Sequence, residues 1–321
     1  MKIKEQTENL IKGDFRAAAK LITCLDDKKM SAEIIKLIHP YRKKNYVIGI
    51  TGAPGAGKST LTDKLIRCFR KQDKTVGVIA VDPTSPFSGG AVLGDRIRLQ
   101  DHATDEKVFI RSMGTRGHLG GLSSATNNAI TILSVLGCDV IILETVGVGQ
   151  SEVEVMKVAD SVILILTPEI GDSIQIMKAG IMEIGDIFVV NKSDRLGKDR
   201  IVSEIKMMRE LSNKKTDYQS TIIETVANKN EGIENLFKEI LLHKDYLYST
   251  NLIDIKRKNR IEKEIENIIN DKILEEISAK MLSKEDIAQI VDKVYNKEID
   301  PFTMANVIIE NYISKNIIDK R

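Results

Sequence analysis

The chain has 321 residues, of which 42% are hydrophobic and 29% charged, as in ordinary folded globular proteins. Its net charge of +2 gives no basic excess, so we expect no nucleic-acid partner. No apolar run is long enough to span a bilayer, and the first residues lack a signal-peptide core, so we expect no membrane association and a cytoplasmic location. The three cysteines and four histidines are scattered, which argues against a tightly bound structural metal.

The first 44 residues have a helical pattern, because apolar side chains recur at intervals of three and four residues. Gly13 provides a stop signal, and Asp14 provides an N-cap for a second helix. We therefore predict an N-terminal helical segment over residues 1–44.

From residue 45 onward, strand patterns alternate with helical patterns. The runs rich in β-branched residues cover residues 46–50, 75–81, 107–110, 140–143, 161–166, 187–190 and 221–223. Because strands covered on both faces lack polar alternation, these runs predict a mainly parallel, seven-stranded α/β sheet with helices on both faces, over residues 45–245. Such a sheet binds ligands at the carboxyl ends of its strands.

A glycine-rich segment follows the first predicted strand and precedes a helix predicted over residues 60–71. Residues 52–59 read Gly-Ala-Pro-Gly-Ala-Gly-Lys-Ser and match the phosphate-binding pattern G-x-x-x-x-G-K-[ST]. The loop's backbone N–H groups can surround a polyphosphate, while Lys58 reaches the β- and γ-phosphates and the Ser59 hydroxyl ligates Mg²⁺. The alternative is a turn that only joins strand to helix. The predicted phosphate-site residues are Gly52, Ala53, Pro54, Gly55, Ala56, Gly57, Lys58, Ser59 and Thr60.

The sixth predicted strand is followed by Asn191-Lys-Ser-Asp194, the N-K-x-D pattern of guanine recognition. The Asp194 carboxylate can accept hydrogen bonds from guanine N1–H and the N2 amino group, which adenine does not offer in that arrangement. We expect Asn191 to join this loop to the phosphate loop and the Lys192 stem to cover a face of the base. Residues 225–227 could place a backbone N–H on guanine O6. The residues predicted to complete the base site are Val226, Ala227 and Asn228.

Two carboxylates lie directly after predicted strands. Asp82 and Glu144 follow the runs at 75–81 and 140–143, where they would face an Mg²⁺·triphosphate site. Helix capping is the alternative for Asp82, which precedes a proline. Gly147 and Gln150 lie in the glycine-rich segment after Glu144, which suits a loop that rearranges with the γ-phosphate. We predict Lys58, Asp82 and Glu144 as catalytic residues.

The strand patterns stop after about residue 245, and we predict a helical arm over residues 246–321. Isoleucines form one helical stripe between residues 260 and 277. Ser283 opens a capping box, and Asp300 caps a helix that starts at Pro301. The stripe could pack on its own domain or on a partner; the pattern leaves both open.

Long motifs at residues 81–90, 93–96, 113–122 and 144–152 make the chain resemble the MeaB/ArgK family over nearly its whole length. That family consists of P-loop GTPases that chaperone cobalamin-dependent acyl-CoA mutases, mainly methylmalonyl-CoA mutase. The resemblance implies hydrolysis of GTP with Mg²⁺ as cofactor, and a homodimer joined partly through the C-terminal helices. It also implies gating of adenosylcobalamin delivery and protection of the mutase, and it leaves the mutase's adenosyltransferase open as a further partner.

The resemblance also implies roles for individual residues. The Mg²⁺-site positions of the family correspond to Ser59, Asp82, Asp95 and Glu144. Residues 82–95 correspond to switch I and residues 144–152 to switch II. A third switch corresponds to residues 171–178, in which Asp172, Gln175 and Lys178 match polar residues that couple nucleotide state to the partner. The residue pattern alone predicts a helix start there, with Asp172 as its cap.

Two other functions compete with a GTPase chaperone. A P-loop phosphotransferase or ATPase is suggested by the arginine/ornithine-transport kinase label given to some family members, but the N-K-x-D segment argues against ATP. A nickel-type metallochaperone GTPase would have cysteine and histidine ligands clustered near the switches, and this sequence has none.

Overall fold

The computed structural model describes residues 3–83, 99–102, 104–115, 119–145, 156–168, 185–211, 218, 221–281 and 284–318. Seven strands form one sheet in the order β3-β2-β4-β1-β5-β6-β7, and every neighbouring pair is parallel. The fold class predicted from the sequence is therefore confirmed. The strands are β1 (Tyr46–Gly52), β2 (Val76–Pro83), β3 (Val108–Thr115), β4 (Val140–Thr145), β5 (Ser161–Leu166), β6 (Ile187–Asn191) and β7 (Ile222–Thr225).

Three helices precede the sheet, and the others follow its strands. Asp14 caps the second helix as predicted, since its carboxylate accepts a hydrogen bond from the Arg16 N–H at 2.7 Å. The helices are α1 (Ile3–Ile11), α2 (Phe15–Thr23), α3 (Lys28–Ile38), α4 (Lys58–Lys71), α5 (Leu119–Leu136), α6 (Lys198–Leu211), α7 (Ile233–Ser249), α8 (Leu252–Met281), α9 (Lys284–Tyr295) and α10 (Pro301–Ile318). None of these helices is long and apolar enough to cross a membrane.

The central strand β1 is buried along its whole length between β4 and β5. On one face of the sheet, helices α1 to α3 and α5 share a core with residues such as Ile79 and Ile141. On the other face, α4 and α7 pack on residues such as Ile48 and Ile142. The uninterrupted apolar strand patterns are explained by this double coverage, which leaves the strand ends as the place for polar chemistry.

A buried ion pair closes the amino-terminal end of β5. The Asp160 side chain is fully buried, and its Oδ2 accepts hydrogen bonds from the Val47 N–H at 3.0 Å and from Arg257 Nη2 at 2.7 Å. Arg257 also donates to the Asn45 carbonyl at 2.6 Å. Because the carboxylate is paired and hydrogen-bonded, its burial is compatible with a charge, and it fixes the beginning of α8 to the sheet.

The chain divides into two compact units, residues 1–257 and 258–321. The second unit contains most of α8 together with α9 and α10. Asp300 caps α10 as predicted, accepting hydrogen bonds from the Phe302 N–H at 2.9 Å and the Thr303 N–H at 3.0 Å. Ser283, the predicted opening of α9, lies outside the described residues. Many apolar side chains of this unit are exposed, among them Ile261, Ile265, Ile268, Ile269, Ile273, Val291 and Phe302.

Candidate functional site

The glycine-rich loop joins the carboxyl end of β1 to α4. The helix begins at Lys58, two residues before the predicted start, so Lys58 and Ser59 belong to its first turn. Gly57 precedes this turn with φ +93°, and a Cβ built on it would lie 2.3 Å from Asn191 Nδ2. Glycine is therefore required there both for its backbone conformation and for space. The first turn presents backbone N–H groups and the positive end of the helix dipole, which together favour an anion.

The Lys58 side chain folds back onto the first residues of the phosphate loop. Its side chain is buried, and Nζ donates hydrogen bonds to the carbonyl oxygens of Gly52 at 2.8 Å and Ala53 at 2.9 Å. The ammonium group thus lies at the start of the loop, where its charge adds to that of the helix end. A polyphosphate enclosed by the loop would meet both positive groups.

Glu144 lies near the carboxyl end of β4, beside the first turn of α4. The Ser59 hydroxyl donates to Glu144 Oε1 at 2.5 Å, and the Thr62 hydroxyl donates to Glu144 Oε2 at 2.7 Å. All three side chains are buried. The predicted convergence of Ser59 and Glu144 is thus present in the structure, and both carboxylate oxygens have donors.

Hydroxyl and carboxylate oxygens are the ligands that Mg²⁺ prefers, so Ser59 and Glu144 fit that ion chemically. In the strand register, Ala80 of β2 lies opposite Glu144, which places Asp82 two residues further along β2 at the same end of the sheet. The described residues contain no group of three or more His, Cys, Asp or Glu side chains that could hold a metal.

The side chain of Asp82 is not among the parts described, and several other predicted site residues lie outside the described residues, namely Asp95, Gly147, Gln150, Asp172, Gln175 and Lys178.

The Asn191 side chain connects three loops. It is 3% exposed, and Nδ2 donates to the Ala56 carbonyl of the phosphate loop at 2.8 Å. Its Oδ1 accepts hydrogen bonds from the Thr225 hydroxyl at 3.0 Å and the Ala227 N–H at 3.1 Å. The sequence-based expectation that Asn191 ties its loop to the phosphate loop agrees with this contact. The Ala227 N–H is directed at Asn191 here, while donation of an N–H from residues 225–227 to guanine O6 stays a prediction.

The rest of the N-K-x-D segment forms a tight turn on β6. Lys192 has φ +58°, in the left-handed region, and the Ser193 N–H donates to the Thr225 carbonyl at 3.1 Å. Beyond the turn, the half-exposed Asp194 carboxylate accepts a hydrogen bond from Lys229 Nζ, with Oδ2 at 3.0 Å. The hydrogen bond from Lys229 holds the pKa of Asp194 below its usual range, so the carboxylate is ionised and ready to accept N–H donors.

Two contributors to this site were not predicted from the sequence. Thr62 lies three residues after Ser59 on the same face of α4, and that helical spacing could have indicated its contact with Glu144. Lys229 lies 35 residues after Asp194, and no local pattern indicates their pairing. Both residues donate a hydrogen bond to a carboxylate that the sequence did predict.

The chain is similar to known proteins along most of its length. The family model described as methylmalonyl Co-A mutase-associated GTPase MeaB matches residues 18–282. A Pyrococcus horikoshii protein, named as a GTPase, is 49% identical over 317 residues, covering 98% of this chain and 99% of its own. The GTPase ArgK of Escherichia coli is 32% identical over 270 residues, covering 81% and 82% respectively.

A mammalian relative and a solved structure extend the similarity. The mouse methylmalonic aciduria type A homolog, a mitochondrial protein, is 30% identical over 329 residues, covering 96% of this chain and 79% of its own. A crystal structure described as an LAO/AO transport system kinase has 24% identity, a TM-score of 0.72 and 97% coverage of both chains, which shows the shared fold. With a family match over most of its length and relatives named as GTPases, the chain belongs to the MeaB family and is a P-loop GTPase.

Proposed function

We propose that the chain binds Mg²⁺·GTP at the carboxyl edge of the sheet and uses its hydrolysis to gate the loading of adenosylcobalamin into a cobalamin-dependent acyl-CoA mutase. The observation that carries the nucleotide assignment is the buried Asn191 side chain. Its hydrogen bonds hold residues 191–194, which we call the base loop, beside the phosphate loop. A single ligand with a guanine base and a polyphosphate spans these two loops. The family of the chain supports the chaperone part of the proposal.

In the proposed site, residues 52–60 surround the phosphates with backbone N–H groups, and Lys58 neutralises charge on the β- and γ-phosphates. Ser59, Asp82, Asp95 and Glu144 hold Mg²⁺, which would neutralise charge on the triphosphate when bound. The hydrogen bonds from Ser59 and Thr62 hold the Glu144 carboxylate in place before the reaction. This carboxylate therefore needs little reorganisation when the transition state forms.

The base is proposed to lie beside residues 191–194 and 226–228. Asp194 accepts from guanine N1–H and N2, and the partly buried Lys192 stem covers one face of the ring. An adenine base would leave the Asp194 carboxylate without these donors, which costs binding energy.

The proposed partner is a mutase of the methylmalonyl-CoA type. The family description names a methylmalonyl-CoA mutase-associated GTPase, and the mouse relative is named for methylmalonic aciduria. The switch segments at 82–95, 144–152 and 171–178 are proposed to carry the nucleotide state to this mutase, with its adenosyltransferase as a further candidate partner.

The proposed domain organisation assigns residues 1–44 to the helical segment, 45–245 to the GTPase domain and 246–321 to a dimerisation arm. Exposed isoleucines of α8 support a homodimer, because a row of half-exposed apolar side chains is costly in water. The exposed fractions of Ile261, Ile265 and Ile269 are 49%, 52% and 50%. A cytoplasmic location completes the proposal.

Whether phosphate binding and hydrolysis depend on different residues can be tested at Lys58 and Glu144, which are both buried. Lys58→Ala should weaken both GDP and GTP binding, because a charge on the phosphates is lost. Glu144→Gln keeps the shape of the side chain and should leave GDP affinity within a few-fold, while hydrolysis slows on the order of 10²-fold. Equilibrium GDP titration and single-turnover phosphate release measure the two effects, with thermal unfolding as the folding control. Equal loss of GDP affinity in both variants would contradict the proposed roles.

Recognition of the guanine base by Asp194 can be tested with a nucleotide that carries a different base. Asp194→Asn should cost roughly 2–4 kcal/mol of GTP affinity, because a charged acceptor is replaced by an amide that faces guanine's donors. Xanthosine triphosphate, which has an acceptor at position 2, should recover part of that loss. The matched control is Asp199→Asn, an exposed aspartate in the first turn of α6, which should bind GTP like the wild type. Unchanged GTP affinity in Asp194→Asn would remove Asp194 from the base site.

Coupling to the mutase can be tested at the third switch. Intrinsic GTP hydrolysis should be slow, and a cobalamin-dependent acyl-CoA mutase should accelerate it by about 10²-fold, as activating proteins do for other GTPases. Ala substitutions of Asp172, Gln175 and Lys178 should leave basal phosphate release nearly unchanged and abolish the stimulation. Lys238→Ala, an exposed position on α7, is the control and should retain it. Full stimulation in all three switch variants would refute a switch at 171–178.

A further inference from the structure

The ion pair between Lys229 and Asp194 joins the base loop to the turn after β7. Lys229 Nζ lies 3.0 Å from Asp194 Oδ2, with the lysine side chain 53% and the aspartate side chain 40% exposed. Exposed pairs of this kind contribute little to stability. Its importance here lies elsewhere, because one member of the pair is the proposed guanine acceptor.

Lys229 belongs to a turn with a fixed backbone. Its N–H donates to the Val226 carbonyl at 2.9 Å, and Val226 and Glu231 exchange two backbone hydrogen bonds of 3.1 and 3.2 Å. Asn230 closes the turn with φ +62°, in the left-handed region. The Ala227 N–H anchors the same turn to the buried Asn191. The lysine stem therefore starts from a point that is fixed relative to the end of β6, where Asp194 also originates.

The chemistry of the carboxylate leaves room for both the lysine and a base. An ionised aspartate has two oxygens and about four acceptor positions, and Lys229 contacts Oδ2. Guanine presents two adjacent donors, N1–H and N2, to a carboxylate that must be ionised and correctly rotated. Hydrogen bonding to Lys229 lowers the pKa of Asp194, and Asp194 in turn raises the pKa of Lys229, so both groups stay charged together.

We propose that Lys229 is a positioning residue for guanine recognition, which holds the Asp194 carboxylate in the rotation that accepts N1–H and N2. This inference rests on the proposed reading of guanine by Asp194. A lysine that instead competed with the base for the carboxylate would weaken nucleotide binding, so its removal would raise GDP affinity. The direction in which GDP affinity changes when Lys229 is replaced therefore distinguishes positioning from competition.

The test compares two lysines near the same strand ends. Lys229→Met removes the charge but keeps the length of the side chain, and Lys229→Arg restores a donor. The matched control is Lys198→Met, because Lys198 Nζ forms a similar exposed pair with Glu224, 2.8 Å from Oε2. Titration of the full chain with GDP and with IDP, which lacks the N2 amino group, measures base recognition.

Lys229→Met should weaken GDP binding about 3- to 10-fold, IDP binding less, and Lys229→Arg should recover most of the loss. Lys198→Met should bind both nucleotides like the wild type. Unchanged or tighter GDP binding in Lys229→Met would overturn the inference.

A pH series supplies a second readout that a purely structural role would not change. Lys229 reaches Asp194 from the turn at 227–229, and Lys192 and Arg195 are the charged residues of its own loop. Because Lys229 lowers the pKa of Asp194, its removal should raise that pKa, and GDP affinity should begin to fall at a higher pH as the solution is acidified. Coincident pH profiles of wild type and Lys229→Met would also overturn the inference.

The Asp194→Asn background separates failure of this inference from failure of the guanine assignment. In that background, Lys229→Met should have no further effect on GDP affinity, because the positioned carboxylate is absent. If Asp194→Asn binds GDP normally, the guanine assignment itself fails. If Asp194→Asn loses affinity while Lys229→Met does not, only the role of Lys229 fails.

Discussion

The hydrogen bonds of the buried Asn191 side chain determine how the phosphate loop and the base loop face each other. One amide group donates to Ala56 and accepts from Thr225 and Ala227, so loops that follow β1, β6 and β7 share a single fixed point. Because the amide is buried, any movement that breaks one of these bonds leaves a polar group unsatisfied. The geometry of the proposed nucleotide site therefore depends on the sheet as well as on the loops.

The parallel sheet explains why such a point can exist. β1 lies at the centre, with β4 on one side and β5 on the other, and the carboxyl ends of these strands end at one edge. Glu144 reaches the first turn of α4 from β4, and Asn191 reaches the phosphate loop from β6. Residues that lie far apart in the chain thus meet around one helix N-terminus, where the positive end of the dipole favours phosphate.

The sequence predicted the inner strands well because β1, β4, β5 and β6 are buried along their whole length, so their side chains are almost uniformly apolar. It predicted strand ends less well: β3 was expected to end at residue 110 and continues to Thr115, since Arg111–Thr115 pair with Ile79–Pro83 of β2. The polar residues of this segment are held in strand conformation by backbone pairing with β2 and not by burial of their side chains. Helix α4 likewise begins two residues before the predicted start, because the last two residues of the glycine-rich motif, Lys58 and Ser59, already belong to its first turn.

The predicted site residues that the structure describes follow from local motifs with fixed spacing, whereas their supporting contacts do not. Ser59 and Asn191 are parts of motifs in which each position has a chemical reason. The members of the pair Asp194–Lys229 are separated by 35 residues, and only the folded chain brings them together. Contacts between residues that lie far apart in the chain are therefore the part of the candidate site that a sequence pattern predicts least.

Competition binding tests most directly whether the phosphate loop and the proposed base loop form one guanine-nucleotide site. The full wild-type chain is loaded with a fluorescent GDP analogue and titrated with unlabelled GDP or ADP in the presence of Mg²⁺. We expect ADP to displace the probe only at concentrations at least about 10²-fold above those of GDP, because adenine does not offer the Asp194 carboxylate the two donors of guanine. Displacement by ADP and GDP at similar concentrations would contradict it.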